Sequence, residues 1–232
     1  MKNKILNIVI FVITVAITIA ALSVMPDIVP VHFDIYGMVD RWGSKYEMLM
    51  MPGMMGAMLV FWFGFDAFYK KKLVTSTYEK EIAETKANLK LIGIVSVIIS
   101  VLFATINCVI LYASYSQLEN FNGVKIDYLK LLSIIMGATF VLMGNYMPKA
   151  KNNRNIGFRL PWTRYNDVTW NKSNRFAGYA MVITGIILIL GGIIFSGIVS
   201  MVIMLVTVTV TLPILTIYAY IIYSKEKKNS ND

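Results

Sequence analysis

A chain of 232 residues with 57% hydrophobic and 15% charged residues, at a mean hydropathy of +0.64, lacks the polar surface of an ordinary soluble domain. Its formal charge of +9 would suit nucleic acid, but the basic residues are distributed between apolar runs, so no direct nucleic-acid contact is expected. A single cysteine precludes an intrachain disulfide, a single histidine argues against the usual zinc sites, and nothing calls for a cofactor.

Six apolar runs near the bilayer-crossing length lie at residues 5–25, 48–69, 89–112, 128–147, 176–195 and 198–223. Lipid offers backbone N–H and C=O groups no partners, and these runs are too long and uniform for barrel strands, so each is expected to be a helix. The fold class is therefore an all-α membrane protein of six transmembrane helices with both termini cytoplasmic. The first run follows Lys2 and Lys4 but is too long for a secretory apolar core, so it reads as a retained helix. Residues 1–72 read as a two-helix N-terminal domain with a structured extracellular loop, and residues 73–232 as a four-helix C-terminal domain with a basic cytoplasmic loop at 148–175.

In the first loop, Pro26 and Pro30 stiffen the exit from the membrane, residues 29–33 read as a short extended run, and Gly37 and Gly43 permit turns. One reading makes this a capping loop, with Tyr36 and Trp42 at the headgroups and His32 bonded to a nearby carboxylate. The other makes Pro30, His32, Asp34, Gly37, Asp40 and Trp42 a receiving surface for an extracellular ligand. In the second span the crowded methionines, Met48 to Met58, read as adaptable packing, and Asp66 as an i,i+4 partner of Lys70. Residues 78–88 read as a solvated helical extension of span three, where Cys108 reads as a small packing residue. Gly53/Ala57 and Gly192/Ser196 are candidate close-approach pairs, Ser196-Gly197 leaves only a tight hairpin, and residues 225–232 read as a disordered tail.

The loop at 148–175 is unusual for a connector. Pro148 should end span four, Pro161-Trp162 reads as an interfacial turn, and Thr163 is a candidate cap for a short helix running through Asp167 and Trp170. Any basic loop would meet anionic lipid. Electrostatics alone does not require Asn145, Gly157, Arg159, Pro161, Trp162 and Thr163 in this order.

The run G-N-Y-M-P-K at 144–149, then N-x-x-x-G-x-R-x-P-W-T from Asn153 to Thr163, followed by Trp170 and Arg175, resembles the signature of the SdpI family. These membrane proteins are named for immunity to a secreted toxic peptide. The outer loop, M-P-D-I-V-P-V-H-F-D-I-Y-G from Met25, with Asp40 and W-G-S-K to Lys45, is similar to the small membrane domain that commonly precedes it. The sequence departs from the family in carrying Ser173-Asn174 where Thr-His is usual, so no imidazole role carries over there. The resemblance implies a non-enzymatic immunity and signalling protein of the bacterial cytoplasmic membrane, with the lipid bilayer, a secreted toxin peptide outside and a cytoplasmic repressor protein inside as partners. It marks Asn145, Pro148, Lys149, Asn153, Gly157, Arg159, Pro161, Trp162, Thr163, Trp170 and Arg175 as the inner site. The alternative is a small transporter or exporter with Asp66, Asn107 and Asn145 lining a route; a membrane enzyme ranks last, since no nucleophile–base set or metal cluster is present.

With the N-terminus inside, eighteen of the 22 basic residues fall in inside segments, against Arg41, Lys45 and Lys125 outside and Lys130 at the start of span four. The positive-inside rule favours this orientation. In a Cys108→Ser background, Ser44→Cys should react with an impermeant thiol reagent on intact cells and Asn152→Cys only after lysis; the reverse pattern would invert the topology.

Overall fold

The computed structural model describes residues 2–34, 36–118, 126–153 and 156–229. Lys125 and Arg154, both counted in the charge division, lie outside them. The chain runs α1 (Lys2–Val24), β1 (Ile28–Phe33), β2 (Val39–Ser44), a 3-10 turn (Lys45–Leu49), α2 (Met50–Thr75), α3 (Glu79–Ser116) and α4 (Tyr128–Tyr146). Two further 3-10 turns (Met147–Lys149, Trp162–Arg164) precede α5 (Asp167–Ile194) and α6 (Gly197–Asn229). Among the described residues six helices are long and apolar enough to cross a membrane, and the protein is a multi-pass membrane protein.

The distribution of side chains fits a lipid solvent. Asn7, Thr14, Thr18, Ser96, Asn107, Ser133 and Ser200 are buried, while Ile8, Val12, Ile19, Val202 and Leu205 are exposed. Apolar chains face outward because hydrocarbon accepts them, and polar ones turn inward, where other helices satisfy them. Asn7 Nδ2 donates to Ser96 Oγ at 2.8 Å and Asn107 Nδ2 to Thr18 Oγ1 at 3.0 Å. Both bonds join residues separated by 89 in sequence, so α1 and α3 pack in one parallel register.

The tightest packing is between α4 and α5. A Cβ added to Gly137 would meet the Gly185 carbonyl oxygen at 2.6 Å, and one added to Gly144 or Gly178 would meet the other's carbonyl at 2.7 Å. Gly192 faces Ile134 and the Lys130 carbonyl, and Ser133 Oγ donates to the Leu188 carbonyl at 3.0 Å. Glycine therefore recurs every seven residues on each helix, matching a left-handed antiparallel seam. Of the expected pairs, Gly192 joins this seam, whereas an added Cβ at Gly53 has nothing within 4 Å. At one end of the seam Asp127 caps α4, accepting from the Leu129 and Lys130 amides, and its second oxygen accepts from Gly197 N at 2.9 Å where α6 begins.

Four local expectations are corrected. α5 begins at Asp167, so the last part of the expected loop 148–175 is helix. The cap is Asn166, paired with Thr169 in a capping box, rather than Thr163. The tail is helical to Asn229 and is tied back by Lys172 to Glu226 at 3.1 Å, while residues 230–232 lie outside the described residues. Cys108 is exposed on α3 rather than packed.

The seam makes its glycines unequal to others. Gly185→Val should cost about 1–3 kcal/mol by overpacking, whereas Gly53→Ala should be neutral or gain up to about 1 kcal/mol through helix propensity. Thermal unfolding in detergent distinguishes them; equal losses would show that the seam is not selective.

Candidate functional site

The candidate residues gather at two ends of the bundle. At one end lies an antiparallel hairpin of β1 and β2. Asp34 closes its turn, its carboxylate accepting from the Tyr36 and Met38 amides at 2.8 Å each while Asp34 N donates to the Met38 carbonyl. Gly37 takes φ of +80°, which favours glycine, and its carbonyl accepts from the Tyr128 hydroxyl at the head of α4. The Pro30 carbonyl accepts from buried Ser114 Oγ of α3 at 2.7 Å. The hairpin is thus fastened to two helices. His32 Nδ1 and Asp40 Oδ1 are 2.6 Å apart on its exposed face, and Trp42 is exposed. Asp34, Pro30 and Gly37 build the hairpin, while His32, Asp40 and Trp42 are presented by it.

At the other end the loop folds over the first turns of α5. Trp170 is 1% exposed, and its indole N–H donates to the Ala150 carbonyl at 2.7 Å. Asn174, one turn on, accepts from Phe158 N at 2.7 Å and donates to the Trp170 carbonyl at 3.1 Å. Gly157 lies against both, with φ of +108°, and a Cβ there would sit 2.6 Å from Asn174 Oδ1. Asn153 folds the preceding turn, accepting from Ile156 N at 2.7 Å and donating to the Ile156 carbonyl. Thr163 Oγ1 accepts from Leu160 N at 2.8 Å and donates to the Phe158 carbonyl at 2.9 Å. Pro148 fills the space left by Gly178, and Asn88 of α3 accepts from Lys151 N at 3.1 Å.

Of the remaining candidates all but Trp162 face outward. Asn145 is exposed and donates within its own helix, to the Val141 carbonyl. Lys149 lies over the Tyr146 ring, exposed Arg175 donates to the Tyr179 hydroxyl at 2.9 Å, and Arg159 is exposed. Pro161 leads into the 3-10 turn that carries Trp162. Trp162 meets Tyr220 of α6 edge-on, with centroids 5.9 Å apart, and its indole N–H is buried without a hydrogen-bond partner among the described residues. For the transport reading, Asn107 is buried between α1 and α3, Asn145 is on the exposed face of α4, and Asp66 is paired with Lys4 at 2.6 Å and Lys70 at 2.9 Å.

Residues 149–223 match the SdpI/YfhL protein family, and residues 9–56 match a domain of unknown function, DUF1648. The immunity protein SdpI of Bacillus subtilis (strain 168) is 32% identical over 103 residues, which is 44% of this chain and 49% of that protein. The match therefore spans about half of that relative's length. No solved structure matches the chain.

Sequence reading overlooked Asn88, Asn166 and Thr169, plain polar residues with no motif of their own. It treated Asn174 as a departure from the family's usual histidine, but here the amide both accepts and donates to order the loop. Trp170→Phe keeps the ring and leaves the Ala150 carbonyl unpaired, a loss of about 1–3 kcal/mol. Limited proteolysis should show faster cleavage in residues 149–164 with overall helicity retained; unchanged cleavage would mean that the bond does not order the loop.

Proposed function

We propose that this protein is a non-enzymatic membrane immunity protein that protects its cell against a secreted antimicrobial peptide. One observation carries the reading: the segment matching the SdpI/YfhL family begins in the loop that Trp170 and Asn174 order, and a similar protein is an immunity protein. In this reading the basic end faces the cytoplasm, the hairpin faces outward, and His32, Asp40 and Trp42 meet the peptide. The inner loop, with Arg159 and Trp162 at its centre, docks a cytoplasmic repressor.

The fold supports a physical link between the two ends. α4 starts at Tyr128, bonded to the hairpin, and ends beside Pro148, packed on α5. Its 19 residues span about 28 Å. A peptide that favoured one seating of the hairpin would move α4 with it, and the glycine seam would carry α5 along; only such a difference in binding between two states can transmit a signal.

Expression in a toxin-sensitive bacterium, scored by survival against a panel of secreted antimicrobial peptides, tests the reading. Protection should fall with His32→Ala combined with Asp40→Asn, at unchanged abundance in the membrane. Arg159→Lys keeps the charge but loses the paired donor geometry of guanidinium, so it should abolish repressor recruitment while the protein stays inserted. If lipid charge alone matters, the lysine variant behaves as wild type, because each basic residue near the surface contributes about 1 kcal/mol whichever cation it is. No protection against any peptide would overturn the immunity reading.

A further inference from the structure

A cavity of about 440 Å³ opens between α1, α2 and α3 at the basic end of the bundle. Five lysines line it against one carboxylate, Asp66. Lys4 and Lys70 are taken up by Asp66, at 2.6 and 2.9 Å. Lys2, Lys86 and Lys90 carry no such ion pair among the described residues, so the cavity holds uncompensated positive charge. The same wall carries two unspent polar groups. Asn7 is 2% exposed; its amide N–H donates to Ser96, but its Oδ1 has no partner among the described residues. The Trp62 indole N–H is likewise buried without a partner among those residues. An orphaned donor and an orphaned acceptor beside free cations are costly unless something fills the site.

Trp62 and Ile92 also line a second cavity of about 270 Å³, whose other walls include Phe61, Phe65 and Met143. A cationic chamber thus adjoins an apolar one across a shared indole. We propose that the two together bind one anionic phospholipid. Its phosphate sits among Lys2, Lys86 and Lys90 and accepts from Trp62, a headgroup hydroxyl donates to Asn7 Oδ1, and an acyl chain lies along Phe61 and Phe65. Charge complementarity selects this occupant: the chamber repels cations, and a zwitterionic headgroup would bring its own positive charge against the lysines. The cationic chamber stands independently of the immunity reading, because none of its lining residues belongs to the hairpin or to the inner loop; the apolar chamber shares Ala150, Ile156 and Gly157 with that loop, but the residues varied below lie outside it.

The full-length protein, purified in nonionic detergent and stripped of lipid, is titrated with dioleoyl-phosphatidylglycerol while its thermal unfolding is followed. The midpoint should rise with lipid concentration. Lys86→Gln/Lys90→Gln should weaken the apparent affinity about thirtyfold, the loss expected for two lysines at an anionic group. Lys225→Gln/Lys228→Gln, on the far end of α6, should titrate as wild type. Trp62→Phe keeps the ring and removes only the donor, so weakened lipid binding with an unchanged lipid-free midpoint would support the site even if the double variant folds poorly. An equal rise with dioleoyl-phosphatidylcholine overturns the proposal, as does wild-type affinity in both Lys86→Gln/Lys90→Gln and Trp62→Phe. A rise reproduced by millimolar inorganic phosphate alone would reassign the chamber to a soluble phosphate.

Discussion

The backbone-to-backbone approach of α4 and α5 sets the geometry on which the rest of the basic end depends. Between helices in lipid there is little hydrophobic drive, because hydrocarbon solvates an apolar side chain as well as a neighbouring helix does. What remains is dispersion, which needs close contact, and close contact needs side chains small enough not to hold the backbones apart. Gly137 opposite Gly185 and Gly144 opposite Gly178 meet that need. Seven-residue spacing keeps each glycine on the seam as the helices wind around one another. The same approach seats Pro148 on Gly178, which turns the chain back over the start of α5 rather than out into solvent.

Polar groups complete what the seam begins. Inside the bundle, hydroxyls spend their hydrogens on carbonyls of their own or neighbouring helices, as Ser133 does on Leu188 and Ser200 on Gly191. Each such bond contributes on the order of 0.6 kcal/mol in a membrane protein, so none is decisive alone. Their value lies in direction: the amides of Asn7 and Asn107 hold α1 against α3, and the Ser133 hydroxyl holds α4 against α5, in one register each. At the ends, where helix termini leave unpaired N–H groups, Asp127 and Asn166 supply acceptors, and Asp127 also reaches the first residue of α6.

The six helices were legible because hydropathy is a local property that survives any packing arrangement. The extended run at 29–33 and the pairing of His32 with a carboxylate were legible too, since proline and β-branched residues bias the backbone and a lone imidazole beside aspartates has few other partners. The start of α5 was not. Its first turns are as polar as the loop before them, so no change in composition marks Asp167. The seam was missed for a different reason: glycines seven apart look unremarkable on either helix alone, and only the antiparallel pairing reveals that the two sets coincide. Asn174 illustrates the limit of motif reading, because a residue that departs from a familiar pattern can still satisfy the same backbone.

The order of residues in the inner loop has two kinds of cause. Asn153, Gly157, Thr163 and Trp170 spend their polar groups or their conformational freedom within the loop, so their spacing is dictated by its folding. Arg159 and Lys149 are turned outward, and Trp162 keeps a buried N–H that has no partner among the described residues. The two tryptophans meet different helices. Trp170 fastens the loop to α5, while Trp162 rests on Tyr220 of α6, so the loop bridges the pair. A partner that drew on the Trp162 donor would have to shift that edge contact, and it would thereby act on α6 while Trp170 held α5 still. In the proposed function, this makes the stance of α6 against α5, rather than the conformation of the loop, the quantity that a docked protein and a peptide at the far hairpin would both influence.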